Sequence, residues 1–416
     1  MNSLPPDAAS MRAPYGARAA AWALIAFVGL WPKYGVSELI ALLAGVAALW
    51  AAANGCVRLK RAQWSMLALV FFSFWLPELV SAPDALARDE AWREVALDLR
   101  YAPFLMLVIL AAGSAPSRIV LYRGLGAIAA LWLLDGLVQA ATGWSIGGPA
   151  ETERLSGIFG ADNLKLGWVL AVLSPFVLQL AADRGRGVWL LAAAVLSLIV
   201  LLAGARAAWL ALALVLAVSA WMQFGGRKRV LLATAVLALA VLALAYIGSE
   251  RFGQRIERTA AVLSGDSEGL DVALSYRLPI WRAAGRMIAA HPLNGIGVRG
   301  FREAYPQFVA DDDHWLQGNN RGAFHAHQWL LEVLAETGVL GLACWLTGLG
   351  LLYGRWRRAS AAMREQARVP ALAVLAALFP LNTHLALYST FWSGVLLLLL
   401  GLLAGVLAAE EAEPRT

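Results

Sequence analysis

Two histidines stand where a polar stretch of the chain gives way to a long apolar one, and they are the residues best suited to chemistry. His325 and His327 belong to the run His-Ala-His-Gln-Trp-Leu-Leu-Glu. A neutral imidazole accepts a proton from a hydroxyl near neutral pH, as transfer of a glycosyl or acyl group to an alcohol requires. Two other roles stay open: a structural hydrogen bond, and a metal site with Asp311 and its neighbours. Zinc-binding histidines on a helix usually stand four residues apart, which disfavours the metal site.

Three arginines are the candidates for binding an anion, because a guanidinium is always charged and its donor fork fits a phosphate. Arg206 lies in a short break of small residues between two apolar runs, where a charge is expensive without an anionic partner. Arg277 opens a segment that contains Trp281, whereas Arg154 precedes an apolar run that begins at Lys165. For each arginine an ordinary role stays open, either contact with lipid headgroups or an ion pair with a carboxylate.

The elements that must position these residues are membrane helices. Apolar residues make up 60% of the 416-residue chain and charged residues only 15%, which excludes an ordinary soluble domain. A membrane helix needs about 20 apolar residues, and this length predicts an all-α polytopic membrane protein with about twelve transmembrane helices. The predicted spans are residues 17–31, 37–53, 64–80, 101–112, 121–141, 165–182, 187–202, 205–224, 230–248, 327–352, 369–388 and 390–408.

The distribution of charge predicts how the chain lies in the membrane. With the N-terminus inside, the cytoplasmic segments hold more than half of the 34 basic residues and fewer than a quarter of the 28 acidic ones. Both termini are therefore expected in the cytoplasm. No basic stripe with interleaved aromatic residues lies on a soluble module, so the net charge of +6 does not indicate nucleic-acid binding. Cys56 and Cys344 lie far apart in or beside spans and indicate neither a disulfide nor a metal cluster.

One long polar break interrupts the hydrophobic pattern and is the predicted reaction chamber. Apolar residues recur in it at helical spacing from 275 to 290, so we expect an amphipathic helix along the membrane face, ended by His291 and Pro292. The break divides the chain into three parts: spans one to nine in residues 1–248, the outer loop in 249–326, and spans ten to twelve with a cytoplasmic tail in 327–416.

Two acidic regions carry predictions of their own. The outer loop at 81–100 mixes acidic and basic residues, which predicts a solvated helix with ion pairs. Glu336 lies nine residues after His327, so a continuous helix would place the two on opposite faces. As an acid within a span, Glu336 is expected to pair with a residue of another span.

Taken together, these residues resemble the O-antigen ligase family, within the larger group of bacterial polysaccharide polymerases and ligases that act on undecaprenyl-diphosphate-linked glycans. The resemblance rests on the order, spacing and common outer face of short motifs and covers mainly residues 154–342. The motifs are the Arg206 turn, Arg277-x3-Trp281, His291-Pro-Leu-Asn-Gly295-Ile-Gly297 with Phe301, and His327-Gln-Trp-Leu with Glu336-Thr-Gly338. One departure is Gln328, where such proteins more often have Asn or Ser.

The resemblance implies a metal-independent, inverting glycosyltransferase of the C-type membrane architecture, with a helical periplasmic loop and no cofactor. His327 would activate the acceptor hydroxyl, while Arg206 and Arg277 would hold the diphosphate. The implied donor is a glycan on undecaprenyl diphosphate, and the acceptor is a hydroxyl of the lipid A core oligosaccharide. The enzyme is expected as a monomer among the lipids of the bacterial inner membrane, with a periplasmic active site. Further substrate contacts would come from Arg154, Lys165, Trp281, His325 and Gln328.

Two other functions fit parts of the pattern. An O-antigen polymerase uses the same donor with a second lipid-linked glycan as acceptor, but such polymerases more often divide their periplasmic mass between two large loops. A transporter or flippase of lipid-linked glycans would also suit twelve spans with both ends inside. Transporters tend to have matched halves and polar residues at the bilayer midplane, whereas here the halves differ and the polar candidates crowd one face.

Overall fold

The computed structural model describes residues 8–150, 154–161, 163–225, 276–317, 322–383 and 386–410, together with the single residues 243, 246, 253 and 274. The chain is mostly helical. Apart from those single residues, the predicted ninth span at 230–248 and the first part of the predicted outer loop lie outside the described residues. The division of the chain at residue 248 therefore stays a prediction.

Helices account for nearly all the secondary structure of the described residues. A two-residue hairpin joins β1 (Trp144–Ser145) to β2 (Gly148–Pro149) in antiparallel fashion. The α-helices are α1 (Ala8–Gly29), α2 (Tyr34–Ala53), α3 (Arg61–Ser81), α4 (Arg88–Leu97), α5 (Tyr101–Gly113), α6 (Ala115–Thr142), α7 (Leu166–Ala182), α8 (Arg186–Leu202), α9 (Arg206–Phe224), α10 (Leu278–Ala290), α11 (Phe301–Ala304), α12 (Trp329–Arg358), α13 (Ala361–Ala377) and α14 (Thr390–Glu410). Short 3-10 turns lie at Trp31–Lys33, Asp98–Arg100, Gly157–Phe159, Tyr305–Phe308 and His314–Leu316.

Seven described helices are long and apolar enough to cross a membrane. Three shorter apolar helices, Gly16–Gly29, Leu166–Ala182 and Arg186–Leu202, accompany them. The prediction of a helical, multi-pass membrane protein is thus supported. The count of about twelve spans and the C-type architecture stay predictions.

Helix α14 lies at the centre of the described fold. Its sequence is apolar on every side, and its most hydrophobic 18-residue window is entirely buried, as expected for a helix surrounded by other helices. It packs against α3, α5 and α13. This central position leaves the ends of the surrounding helices, and the loops between them, to carry polar groups.

The predicted eleventh span, residues 369–388, differs from the observed structure. Helix α13 begins earlier, at Ala361, and ends at Ala377. Pro380 disfavours helical geometry just before itself, and the Asn382 side chain donates a hydrogen bond of 2.7 Å to the carbonyl of Ala377. The described residues after Ala377 therefore form a loop, which hydropathy alone had read as membrane helix.

The loop at 81–100, predicted to lie on the outer side, is helical as predicted but less solvated. Arg93 and Glu90 form a surface ion pair of 2.5 Å. Glu94 and Asp98 are buried, however, and Asp98 pairs with Arg100 at 3.1 Å. Helix α4 continues through a 3-10 turn into α5, so the acids that looked like solvated surface pack against the other helices.

Candidate functional site

His327 stands just before α12 and not within it. Its φ of 52° lies in the left-handed region, which non-glycine residues rarely adopt and which is often found at functional sites. Gln328 then caps the helix, because its side-chain Oε1 accepts a hydrogen bond of 2.6 Å from the backbone N–H of Leu331. Gln328 thus performs the capping that Asn or Ser commonly performs. The continuous helix assumed from His327 to Glu336 is therefore not observed, because His327 lies before the helix.

Thr383, in the loop after α13, contacts both His327 and Arg277. The Arg277 guanidinium donates from Nη1 to the Thr383 hydroxyl at 3.1 Å, and the His327 imidazole is hydrogen-bonded to the Thr383 backbone. Gln328 reaches the same loop, where its Nε2 donates to the Pro380 carbonyl at 3.0 Å. The loop that replaces the end of the predicted eleventh span therefore fixes the positions of two predicted site residues.

The first turn of α10 brings Arg277 to the site. Pro279 near the start of the helix suits its geometry, because proline needs no hydrogen-bond acceptor there, and Arg277 occupies the position before the first helical residue. One turn later, the Trp281 indole donates to the Ala326 carbonyl at 3.1 Å. This bond ties α10 to the histidine segment, in which the His325 and His327 rings lie 4.0 Å apart between centroids.

The Arg206 turn contacts the loop that carries Arg154. Gly204, with a φ of 73°, makes the tight turn, and α9 begins at Arg206. The backbone N–H of Leu155 donates to the carbonyl of Leu202 at 3.4 Å, so the residue after Arg154 is bonded to the end of α8. The break between two spans, predicted from the sequence, is confirmed, and Arg154 lies beside it.

The charges of these residues act on one another. Burial, followed by the positive charges of Arg206 and Arg154, lowers the pKa of Arg277 to about 10, so Arg277 stays charged at neutral pH. Burial, followed by the charge of Arg277, lowers the pKa of His327 to about 4, although the hydrogen bond to the Thr383 backbone opposes this shift. We call Arg154, Arg206, Arg277 and His327 the basic cluster. It combines a neutral imidazole with three cations.

Lys165 lies at the start of α7, the helix that packs beside the Arg206 turn, and its side chain contacts an aromatic ring. Its Nζ lies 4.7 Å from the centroid of the Phe391 ring, at the start of α14, and burial lowers its pKa. Two residues later, a Cβ on Gly167 would lie 2.8 Å from the Ala203 Cβ, so α7 packs tightly beside the turn. Lys165 thus lies on a helix that packs beside the Arg206 turn, and it makes a cation–π contact with Phe391.

Gln139 is a positioning residue that sequence reasoning missed. Its side-chain oxygen accepts hydrogen bonds from the backbone of Ser156 at 3.0 Å and Gly157 at 2.8 Å, which fixes the loop after Arg154. Thr383 was missed as well. Gln139 and Thr383 share one feature that could have drawn attention to them, because each is a polar side chain within a predicted apolar span.

Glu336 has a different partner from the one predicted. Its Oε2 accepts a hydrogen bond of 2.8 Å from the backbone N–H of Arg299, a loop residue, and not from another span. Two residues later, Gly338 (φ 66°, ψ −168°) interrupts α12. The segment Pro292–Gly297 crosses this kink and pairs with its free backbone groups through Val339 N–H to Pro292 O, Leu340 N–H to Leu293 O, Ile296 N–H to Ala335 O and Gly297 N–H to Glu336 O.

The acidic run near His314 caps local structure. Asp313 Oδ1 accepts hydrogen bonds from the Tyr305 hydroxyl at 3.1 Å and from the Trp315 backbone at 2.9 Å. Within the described ranges, His, Cys, Asp and Glu side chains form no group of three or more that could hold a metal ion.

The central part of the chain is similar to a known protein family. Residues 191–346 match the family model described as O-Antigen ligase. The matched segment contains Arg206, Arg277, Trp281, His325 and His327. The predicted resemblance is therefore confirmed over this segment. The chain has no match among curated proteins.

Proposed function

We propose that this chain, a member of the O-antigen ligase family through residues 191–346, is the ligase that transfers a glycan from undecaprenyl diphosphate to a hydroxyl of the lipid A core oligosaccharide. The family supports an enzyme of the ligase or polymerase type embedded in a membrane. The reaction takes place at the periplasmic face of the inner membrane, in agreement with the charge distribution of the sequence. Both substrates carry lipid anchors, so they meet by diffusion in the membrane plane.

His327 serves as the general base. With a pKa lowered to about 4, its imidazole is neutral at physiological pH and can accept a proton. The Thr383 backbone lies beside the His327 ring and opposes the lowering of its pKa, and the neutral ring accepts the proton of the acceptor hydroxyl. The hydroxyl oxygen attacks the anomeric carbon as its proton passes to His327.

Arg277 and Arg206 bind the diphosphate, with Arg154 beside them. As the bond between the anomeric carbon and the phosphate oxygen breaks, undecaprenyl diphosphate leaves with the electron pair and gains negative charge. Guanidinium groups held in place before the reaction stabilise that charge without a metal ion. Attack from the side opposite the leaving group inverts the anomeric centre.

The remaining site residues shape the chamber. Trp281 and Gln328 hold the histidine segment through bonds to Ala326 and Pro380, and His325 lies against the ring of His327. Lys165 extends the positive surface beyond the three arginines. These contacts orient the donor and acceptor, and the chain acts as a monomer.

The single observation that carries the proposal is the mutual electrostatic influence of the basic cluster. Arg206 and Arg154 lower the pKa of Arg277, and Arg277 lowers that of His327, so these groups share one neighbourhood although they come from four separate parts of the chain. Like charges gathered in a half-buried place are costly unless an anion binds among them. A diphosphate has the charge and the geometry to do so.

The test uses the purified full-length chain with lipid-linked glycan and rough lipopolysaccharide, followed by omission of the lipopolysaccharide. A ligase forms glycan-bearing lipopolysaccharide in the first mixture and no product in the second. An O-antigen polymerase instead lengthens its own donor when the lipopolysaccharide is omitted. Lengthened donor in the second mixture would replace the ligase proposal with polymerase activity.

A further inference from the structure

A charged cavity lies at the end of the helix bundle opposite the candidate site. Its volume is about 410 Å³, and α6, α7 and α13 form its walls. Its polar lining belongs to the beginning of α6, the end of α7 and the beginning of α13, whereas the candidate site lies near the beginning of α7 and just after the end of α13. The polar side chains in its lining are Arg118, Tyr122, Arg123, Gln179, Asp183, Glu365, Gln366 and Arg368.

Arg118 is the decisive residue, because it is a buried cation. Only 7% of its surface is exposed. Its Nη1 donates to the Ala112 carbonyl at 2.7 Å and its Nη2 donates to the Gln366 side chain, and both acceptors are uncharged. Among the described residues, no carboxylate lies within ion-pair distance of it. A buried charge of this kind is costly until an anion neutralises it.

Two neighbours of Arg118 complete the anion-binding character of the cavity. The Tyr122 hydroxyl is buried and makes no hydrogen bond within the described part of the chain. Arg123 is exposed, and no ion pair engages it among the residues described. Tyr122 lies one helical turn after Arg118 on α6, and Arg123 lines the same cavity, so all three can reach one ligand.

The two carboxylates in the lining are already engaged. Glu365 pairs with Arg368 at 2.7 Å, and Asp183 accepts a hydrogen bond of 2.8 Å from Gln179. Arg368 also donates to the Gln179 side-chain oxygen at 2.6 Å. With three arginines and two carboxylates the lining keeps a net positive charge, and neither carboxylate forms an ion pair with Arg118 or Arg123.

The rest of the lining is apolar. Ile119, Phe176, Leu180 and Val369 line the same cavity, and α6 is one of the helices able to cross a membrane. A free inorganic ion would contact only the arginine side of such a cavity. A phospholipid would place its phosphate on the arginines and its acyl chains on the apolar wall, as in basic pockets between membrane helices.

We propose that this cavity binds an anionic phospholipid with a phosphodiester headgroup, of the phosphatidylglycerol class. The charge count of the sequence places this end of the bundle on the cytoplasmic side, so the ligand comes from the inner leaflet. Its phosphate oxygens accept hydrogen bonds from Arg118, Arg123 and Tyr122. The bound lipid braces α6 against α7 and α13 and takes no part in glycan transfer.

The test measures lipid binding to the detergent-purified full chain by native mass spectrometry, with dioleoylphosphatidylglycerol and dioleoylphosphatidylcholine as probes. The wild-type chain is expected to bind phosphatidylglycerol at least about tenfold more tightly than phosphatidylcholine, because hydrogen bonds between charged groups are strong. Two variants should each remove about a tenfold preference: Arg123→Glu, which reverses a charge, and Ala115→Trp, which fills the cavity without changing charge. Arg357→Glu, an exposed arginine on the same predicted face but outside the cavity, is the matched control.

Each alternative gives a different result. Equal binding of the two lipids, or unchanged binding by both cavity variants, would overturn the proposal. An equal loss of the phosphatidylglycerol preference in the Arg357→Glu control would show that general surface charge causes the preference, and it would also overturn the proposal. Inorganic phosphate alone, at millimolar concentration, could displace phosphatidylglycerol and raise the melting temperature as much as the lipid does. That result would make the cavity a site for a free anion and overturn the lipid proposal. Any variant that loses its helical signal is replaced by Arg118→Lys, which keeps the charge and loses the donor fork.

Discussion

Two clusters of ionisable residues flank the beginning of α12, and they differ in sign and in burial. The acidic cluster, defined as Glu78, Glu94, Asp98, Glu332 and Glu336, is between 0 and 7% exposed. Arg299 binds it from the loop, through its backbone to Glu336 at 2.8 Å and through Nε to Glu94 at 3.9 Å. The basic cluster is only half-buried and lies on loops and helix ends. The difference teaches that the carboxyl groups pack into the core between helices, whereas the basic groups stay within reach of solvent, where a ligand can meet them.

The largest expected effect is the loss of glycan transfer when the proposed base of the basic cluster is removed. His327→Ala is expected to reduce glycan transfer by about 100- to 10,000-fold, because the reaction loses its general base. The melting temperature should stay at the wild-type value, since His327 lies outside the helix. Transfer is measured with purified lipid-linked glycan and rough lipopolysaccharide. His291→Ala, at the C-terminal end of α10, is the control and should retain activity; a fully active His327→Ala protein would remove the base assignment.

The next effect separates guanidinium geometry from charge. Arg277→Ala should lower kcat/KM for the donor by about ten- to a hundredfold, and Arg277→Lys should not restore it. A lysine cannot bond Thr383 and a phosphate with one rigid fork. Arg282→Ala, an exposed arginine on the same helix, is the matched control. Recovery of the wild-type value with lysine would show that positive charge alone is sufficient.

The third prediction concerns the acidic side, where we expect a change in stability. Gly338 has a φ of 66°, and a Cβ there would lie 2.2 Å from the Leu293 carbonyl oxygen. Gly338→Ala should therefore lower the free energy of unfolding by at least roughly 1–3 kcal/mol. The control is Gly350→Ala in the same helix, where a Cβ would meet nothing within 4 Å. That control should be neutral or stabilising by up to about 1 kcal/mol. Equal melting temperatures for the two variants would contradict the role given to the kink.

A smaller effect is expected at Thr383. Thr383→Val removes the hydroxyl that accepts from Arg277, and kcat/KM for the donor should fall by about two- to tenfold. Thr383→Ser keeps the hydroxyl and should behave like the wild type. The backbone bond to His327 is unaffected in both variants, so the acid limb of the pH profile should not move. A loss in the serine variant as large as that in the valine variant would exclude this hydrogen bond as the cause.

The smallest expected effect is the response to moderate acid. An ordinary histidine has a pKa of 6.5, but burial lowers that of His327 to about 4. The imidazole therefore stays neutral from pH 7 to pH 5, and kcat/KM should fall only as the pH approaches about 4. A bound diphosphate would favour the imidazolium, so the acid limb of kcat should lie at higher pH than that of kcat/KM. A limb of kcat/KM near 6.5 would contradict the burial of His327.

Much of this architecture could be predicted from residue patterns. Hydropathy located the long helices, and the small residues before Arg206 predicted a turn between spans. The helical spacing of apolar residues from 275 to 290 predicted α10. These features depend on local composition and helical periodicity, which a single sequence contains.

The remaining features depend on contacts between distant parts of the chain. Hydropathy counts Phe379, Leu381 and their neighbours as membrane helix, although Pro380 and the cap from Asn382 end the helix at Ala377. The position of Thr383 against Arg277 therefore could not be predicted. The left-handed backbone of His327 and the bond from Arg299 to Glu336 are likewise set by tertiary packing.

The pairing of Pro292–Gly297 with the Gly338 kink has a consequence for protein engineering. Four backbone hydrogen bonds join these two stretches in a fixed register. A chimera that exchanges the segment before α12 between two related chains must therefore carry the matching stretch of helix with it. A one-residue insertion between His291 and Gly297 would shift that register, whereas an insertion in an exposed turn with no such pairing would be accommodated.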